Sequence, residues 1–126
     1  MEYKILKIIN AFSKLNLLEE IEIETLYENL YFLKNKDKYK ELLKEINFDE
    51  NNISQELIEE ISNAVIDNEV FITKDNYLAF TMNDNLREEI IKNIKNKNIC
   101  LNFMDDFMFL IRKKEENEQL RRKIKK

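Results

Sequence analysis

Carboxylates dominate the groups of this chain that could take part in chemistry: 25 Asp and Glu stand beside one cysteine and no histidine. Five pairs of identical acidic residues are adjacent, Glu19-Glu20, Glu59-Glu60, Glu88-Glu89, Asp105-Asp106 and Glu115-Glu116. Two carboxylates sharing a proton or a cation must converge, whereas neighbours on a helix point about 100° apart, so each pair splays. Acid–base or nucleophile pairs built on His are excluded by inventory. Gly-rich phosphate cradles are excluded in the same way, because the chain contains no Gly. These absences predict a non-enzymatic protein with no cofactor and no metal. Asp105-Asp106 stands apart, being embedded among Phe103, Met104, Phe107 and Met108. One of that pair is expected to meet a partner group or to cap a neighbouring helix.

Cys100, flanked by Ile99 and Leu101, is expected to be a buried thiol, and a lone Cys forms no intramolecular disulfide. The first residues, Met1-Glu2-Tyr3-Lys4-Ile5, lack the apolar core and cleavage site of a signal peptide. No apolar run approaches the roughly 20 residues of a membrane span. A soluble cytoplasmic protein is the expectation.

Charge is unevenly placed. The chain carries −4 overall, yet residues 112–126 hold eight basic and three acidic side chains, a net of +5. The other 111 residues therefore carry 13 basic and 22 acidic groups, a net of −9. In the basic tail Leu110, Asn117, Leu120 and Ile124 fall on one side of a helix, hinting at a short coiled-coil seam with Asn117 in it. Apolar residues lie nearly all round the helix at 103–111, which must be covered on every side. Phe103, Phe107, Leu110, Asn117 and Leu120 are thus candidates for a homodimer interface. The tail has two other readings, a nucleic-acid contact through Arg121 and Arg122, or a solubilising terminus. A second basic cluster, Lys34, Lys36, Lys38 and Lys40 around Tyr39, is a candidate contact for nucleic acid or an acidic partner, or simply a solvated turn.

The positioning elements follow from apolar spacing. Ile5, Ile8, Ile9, Phe12 and Leu15 predict an amphipathic helix over 3–15, and Asn16 with Glu19 has capping-box spacing for a new turn. Glu20 to Glu24 alternates like a strand ahead of a helix over 24–34. Asp37 is placed to cap a helix over 38–47 with Tyr39, Leu42, Leu43 and Ile46 inward. Ser54 caps the next helix, with Leu57, Ile58, Ile61, Val65 and Ile66 inward. Val70–Thr73 and Tyr77–Met82 predict a β-hairpin over 70–82 turning at Asp75-Asn76, since both tolerate φ > 0. That register pairs Phe71 with Phe80 and gathers Phe71, Leu78, Phe80 and Met82 on the inner face. Asn83 opens a helix over 86–96, with Leu86, Ile90, Ile91 and Ile94 inward. A last helix spans 100–124, apolar first and charged later.

The order helix, helix, helix, hairpin, helix over residues 3–96 resembles a winged-helix domain. The expected fold is therefore mainly α with one β-hairpin (α+β), a winged-helix-like core over 1–98 followed by a C-terminal helix over 99–126. In that template residues 54–67 would be the recognition helix, whose expected outward residues are Glu56, Glu59, Glu60, Asn63 and Asp67 with no Lys or Arg. Such a face repels phosphate, and phosphate attraction supplies most non-specific DNA affinity. Three functions remain in view. The first is a protein–protein interaction or regulatory domain. The second is a winged-helix-like transcriptional regulator using the basic clusters on DNA. The third is an acidic inhibitor of a nucleic-acid enzyme, similar to small phage-encoded anti-defence proteins, with Glu56, Glu59 and Glu60 against a basic partner.

Overall fold

The computed structural model describes residues 2–124, so Met1 and the tail residues Lys125 and Lys126 lie outside the described residues. The first helix, α1 (Ile5–Ser13), is shorter than its apolar pattern predicts and is buried on nearly all sides, Lys7 excepted. It ends in a reversal that the capping-box reading missed. Leu17 adopts φ 56°, the Leu18 N–H bonds the Ser13 carbonyl at 2.8 Å, and the Leu17 N–H bonds that of Lys14 at 3.2 Å. This is a Schellman closure with leucine in the place glycine usually holds. The Asn16 amide turns back onto the Phe12 carbonyl at 2.8 Å instead of starting a helix.

The chain then passes directly from β1 (Glu20–Glu22) into α2 (Ile23–Lys34), as the alternating lead-in suggests. Beyond the expected hairpin, β1 joins β2 (Val70–Ile72) and β3 (Tyr77–Phe80) in an antiparallel sheet of order β1-β3-β2. The hairpin register differs by one residue from the sequence reading. Val70 pairs with Phe80 and Ile72 with Leu78, so Phe71 faces outward opposite Ala79. The turn is the cause. A two-residue type I′ turn needs φ > 0 at both central residues, but of Asp75 and Asn76 only Asn76 has it, at 62°. The chain forms a three-residue loop instead, closed by Thr73 N–H to Tyr77 O at 2.9 Å and Asn76 N–H to Thr73 O at 3.1 Å. Val70 takes the buried place expected for Phe71, while Leu78, Phe80 and Met82 stay buried.

Residues 38–47 do not form the expected helix. A 3-10 turn at Asp37–Tyr39 runs into further turns, although Tyr39, Leu43 and Ile46 are buried as their spacing requires. The Lys34 ammonium caps this segment on the Ile46 carbonyl. Helix α3 (Gln55–Ile66) is N-capped by the Ser54 hydroxyl, which accepts from Leu57 N–H at 3.2 Å. Helix α4 (Asp84–Asn93) is capped by Asn83, accepting from Leu86 N–H at 2.8 Å. Helix α5 (Lys97–Ile124) is three residues longer at its start than predicted. Its first half buries Cys100, Phe103, Met104, Phe107 and Met108 against α1, α2 and Tyr39, whose ring meets Phe103 edge-on at 5.4 Å. The fold is thus mainly α with a small antiparallel sheet, ending in a long C-terminal helix.

Candidate interaction surface

Helix α3 holds two adjacent apolar stripes, Leu57–Ile61–Ala64 and Ile58–Val65 with Ile66, and only one can face the core. The structure buries the first together with Glu60. Ile58, Val65 and Ile66, expected inward, are exposed at 37%, 39% and 74%. After Ile66 a second Schellman closure, with Asn68 at φ 58°, carries the chain into β2. There the one-residue register difference leaves Phe71 62% exposed, and Ile72 on the sheet's edge is 42% exposed. Helix α3 and β2 are consecutive elements that contact one another. No Lys or Arg occurs between Gln55 and Ile72, and Glu59 and Asp67 are the exposed acids among these apolar groups. The exposed groups of these two elements are thus apolar and acidic.

Glu60, on the buried side of α3, finds a partner on another helix. Helix α1 begins after Lys4, which offers no side-chain cap. The Glu60 Oε1 atom supplies it from another helix, accepting the Leu6 N–H at 3.1 Å. A carboxylate suits a helix N-terminus, where orphan N–H groups and the dipole favour negative charge. Burial nevertheless pushes the Glu60 carboxyl up from its ordinary pKa, outweighing the pull of the Leu6 N–H and of Lys4. Glu60 is thus withdrawn from the expected outward set. It lines a cavity of about 340 Å³ floored by Ile5, Ile8, Ile46 and Cys100. Glu56 is half engaged, accepting the Asn47 N–H at 2.8 Å, while Glu59 is free on the surface.

The basic cluster is dispersed into local partnerships. Lys34 is spent on the Ile46 carbonyl and the Asn47 side chain, Lys38 pairs with Asp106 at 3.0 Å, and Lys40 pairs with Asp37 at 3.0 Å. Lys36 lies over the Phe32 ring at 5.3 Å. Asp106 is the member of the embedded acidic pair that finds a partner, accepting the Tyr39 hydroxyl at 2.6 Å. That bond and Lys38 hold its carboxyl below the usual range, while burial and Asp106 push the Tyr39 phenol up. The Cys100 thiol is buried as expected, and burial raises it.

Two residues expected at a dimer interface are spent inside the chain. Phe103 and Phe107 are fully buried in the core, and Leu110 packs partly against it. Asn117, Leu120, Arg121 and Arg122 are exposed. Sequence reasoning missed Arg87, whose buried guanidinium donates to the Met82 carbonyl at 3.0 Å, to the Phe80 carbonyl at 3.4 Å, and to the Asn10 carbonyl and Ser13 hydroxyl. It ties the end of α1 to the exit of β3. The signal was its place three residues before Ile90 in the apolar stripe of α4. Burial lowers its pKa without threatening its charge.

Among the described residues no three Cys, Asp or Glu side chains converge to hold a metal ion, and no helix is long and apolar enough to cross a membrane. Compared with known proteins, the chain matches no family model, no curated protein and no solved structure.

Proposed function

We propose that this chain is a non-enzymatic protein–protein interaction module of regulatory type, which binds another protein through the exposed face of α3 and β2. One observation carries the reading: Ile58, Val65, Ile66 and Phe71 are exposed on two contacting elements that bear no basic residue. Large apolar side chains grouped on a surface mark contact sites more often than chance exposure. A DNA reading through the same face lacks the cations that phosphate demands. The absence of any cysteine pair and the buried thiol of Cys100 support a cytoplasmic setting.

Two measurements test it together. Partners are captured from host extract by the wild-type chain and by the Ile66→Asp, Phe71→Asp variant, with circular dichroism confirming that the variant folds. Loss of a specific captured protein on substitution is expected; equal capture overturns the assignment of this face. In parallel, binding to a mixed-sequence DNA duplex is followed as salt is raised. No duplex binding is expected, and tight binding that falls steeply with salt favours the transcriptional-regulator reading instead. A captured protein that is strongly basic and released by moderate salt favours the acidic-inhibitor reading.

A further inference from the structure

The second half of α5 leaves the domain. Lys114 is anchored, its ammonium bonding the Thr25 hydroxyl at 2.6 Å and lying 3.5 Å from Glu28. From Glu115 to Ile124 every side chain is exposed. These ten residues extend the helix by about 15 Å, and helical segments of this length are marginal in water unless something packs against them.

The spacing on this segment says what packs there. Leu110, Asn117 and Ile124 recur every seven residues, and Lys113 and Leu120 fall three residues after the first two, so the five occupy the seam of two heptads. Leu110 packs partly on the core, whereas Leu120 and Ile124 are 56% and 75% exposed, so the distal end of the seam is unoccupied within the chain. In a parallel pair of such helices the residue before a seam position faces the residue five further on in the other strand. Here that rule sets Glu116 opposite Arg121 of a second copy, and by symmetry twice per dimer. Asn117 then meets its own counterpart, where two amides can bond each other. A lone Asn in a seam favours two parallel strands in one register over other assemblies. The surface is therefore complementary to itself, as a twofold interface requires.

We propose that the projecting end of α5 pairs with the same segment of a second copy in a short parallel coiled coil, with Asn117 facing Asn117 and Glu116 facing Arg121 of the second copy. The Lys113 position shortens the apolar seam, so the pair forms at micromolar to millimolar concentration and not below. It uses different residues from the α3–β2 face, so either reading can fail without the other.

Light scattering on the full chain across that concentration range tests it. The mass is expected to rise toward twice that of one chain, and Leu120→Asp is expected to hold it at one chain at every concentration. Glu116→Arg is expected to weaken pairing about tenfold, and Glu116→Arg with Arg121→Glu to restore it, because both ion pairs are first reversed and then re-formed. Register is read by oxidation. Asn117→Cys is expected to form a disulfide-linked dimer by itself, while the wild-type chain with its buried Cys100 does not. A single-chain mass throughout, failure of the double charge reversal to restore pairing, or linkage only between Asn117→Cys and Leu120→Cys chains, as an antiparallel pair would give, overturns the proposal.

Discussion

Replacing Glu60 separates two roles that one carboxylate performs. As an acceptor it satisfies the Leu6 N–H at the start of α1, and as a buried charge it is desolvated. Glu60→Ala removes the acceptor, leaving a buried donor unpaired at a cost of about 1–3 kcal/mol, and losing a helix cap costs about 1 kcal/mol by an overlapping mechanism. A total near 2 kcal/mol corresponds to roughly 8 °C in Tm for a chain of this size. Glu60→Gln keeps an acceptor oxygen and removes the charge, so at neutral pH it is expected to match or exceed the wild type. The pH dependence fixes the sign. Because the folded carboxyl titrates above its unfolded value, the folded state holds this proton more tightly. The stability it contributes is therefore present below the unfolded pKa and is lost as pH rises through the folded pKa. The stability of Glu60→Gln minus that of the wild type should be near zero at about pH 4 and grow toward pH 7. Urea unfolding of the three proteins over that range measures it. A Glu60→Gln loss as large as that of Glu60→Ala, or a difference that shrinks as pH rises, would refute the account of Glu60 as an acceptor held against its solvation.

Two further outcomes follow from single residues. Leu17, 90% exposed and held at φ 56°, sits where the Cβ atom itself is a handicap of about 1–2 kcal/mol. Leu17→Gly relieves that and gives back part of it as added freedom of the unfolded chain, so a net gain of about 0.5–1 kcal/mol is expected in urea unfolding; a loss would show that Leu17 makes a contact that matters. Tyr39→Phe removes the hydroxyl donated to Asp106 and is expected to cost about 1 kcal/mol at neutral pH. Asp106 titrates below its unfolded value, so its contribution is present above the unfolded pKa and is lost as pH falls through the folded one; the gap between Tyr39→Phe and wild type should therefore narrow below about pH 4.

Which elements were legible depended on whether the deciding interaction was local. Helix starts with their own cap, such as Ser54 and Asn83, could be read from residue type because donor and acceptor lie three positions apart. The rotation of α3 could not. Its two apolar stripes are nearly equal, and the buried one packs on elements distant in sequence, with Glu60 beside it reaching α1, 54 residues away. The hairpin was legible as two strands and a turn, but its register hung on whether Asp75 would join Asn76 at positive φ. It did not, and every side chain of β2 changed face as a result. The extended lead-in at Glu20–Glu22 was legible, but its pairing was not, since β1 joins β3 across more than 50 residues. Of the candidate site residues, Lys34, Lys38 and Lys40 stand together in the sequence, but the sequence does not show that Lys34 is taken up by the Ile46 carbonyl or that Asp106 and Asp37 neutralise Lys38 and Lys40.

That neutralisation bears directly on what the α3–β2 face can bind. Each phosphate contact a protein gives up removes close to one power of salt dependence and the affinity that goes with it. With three of the four clustered lysines turned inward or paired, and none on α3 or β2, Lys74 is the one cation beside this face within the hairpin. Apolar contact is the larger resource. At about 2 kcal/mol for each fully exposed side chain, covering the exposed parts of Ile58, Val65, Ile66 and Phe71 is worth roughly 4 kcal/mol. That lies near the lower end of the cost of bringing two proteins together. The face alone therefore supports a weak, salt-insensitive contact, and a tighter one requires a partner whose own donors reach Glu59 and Asp67 at its rim.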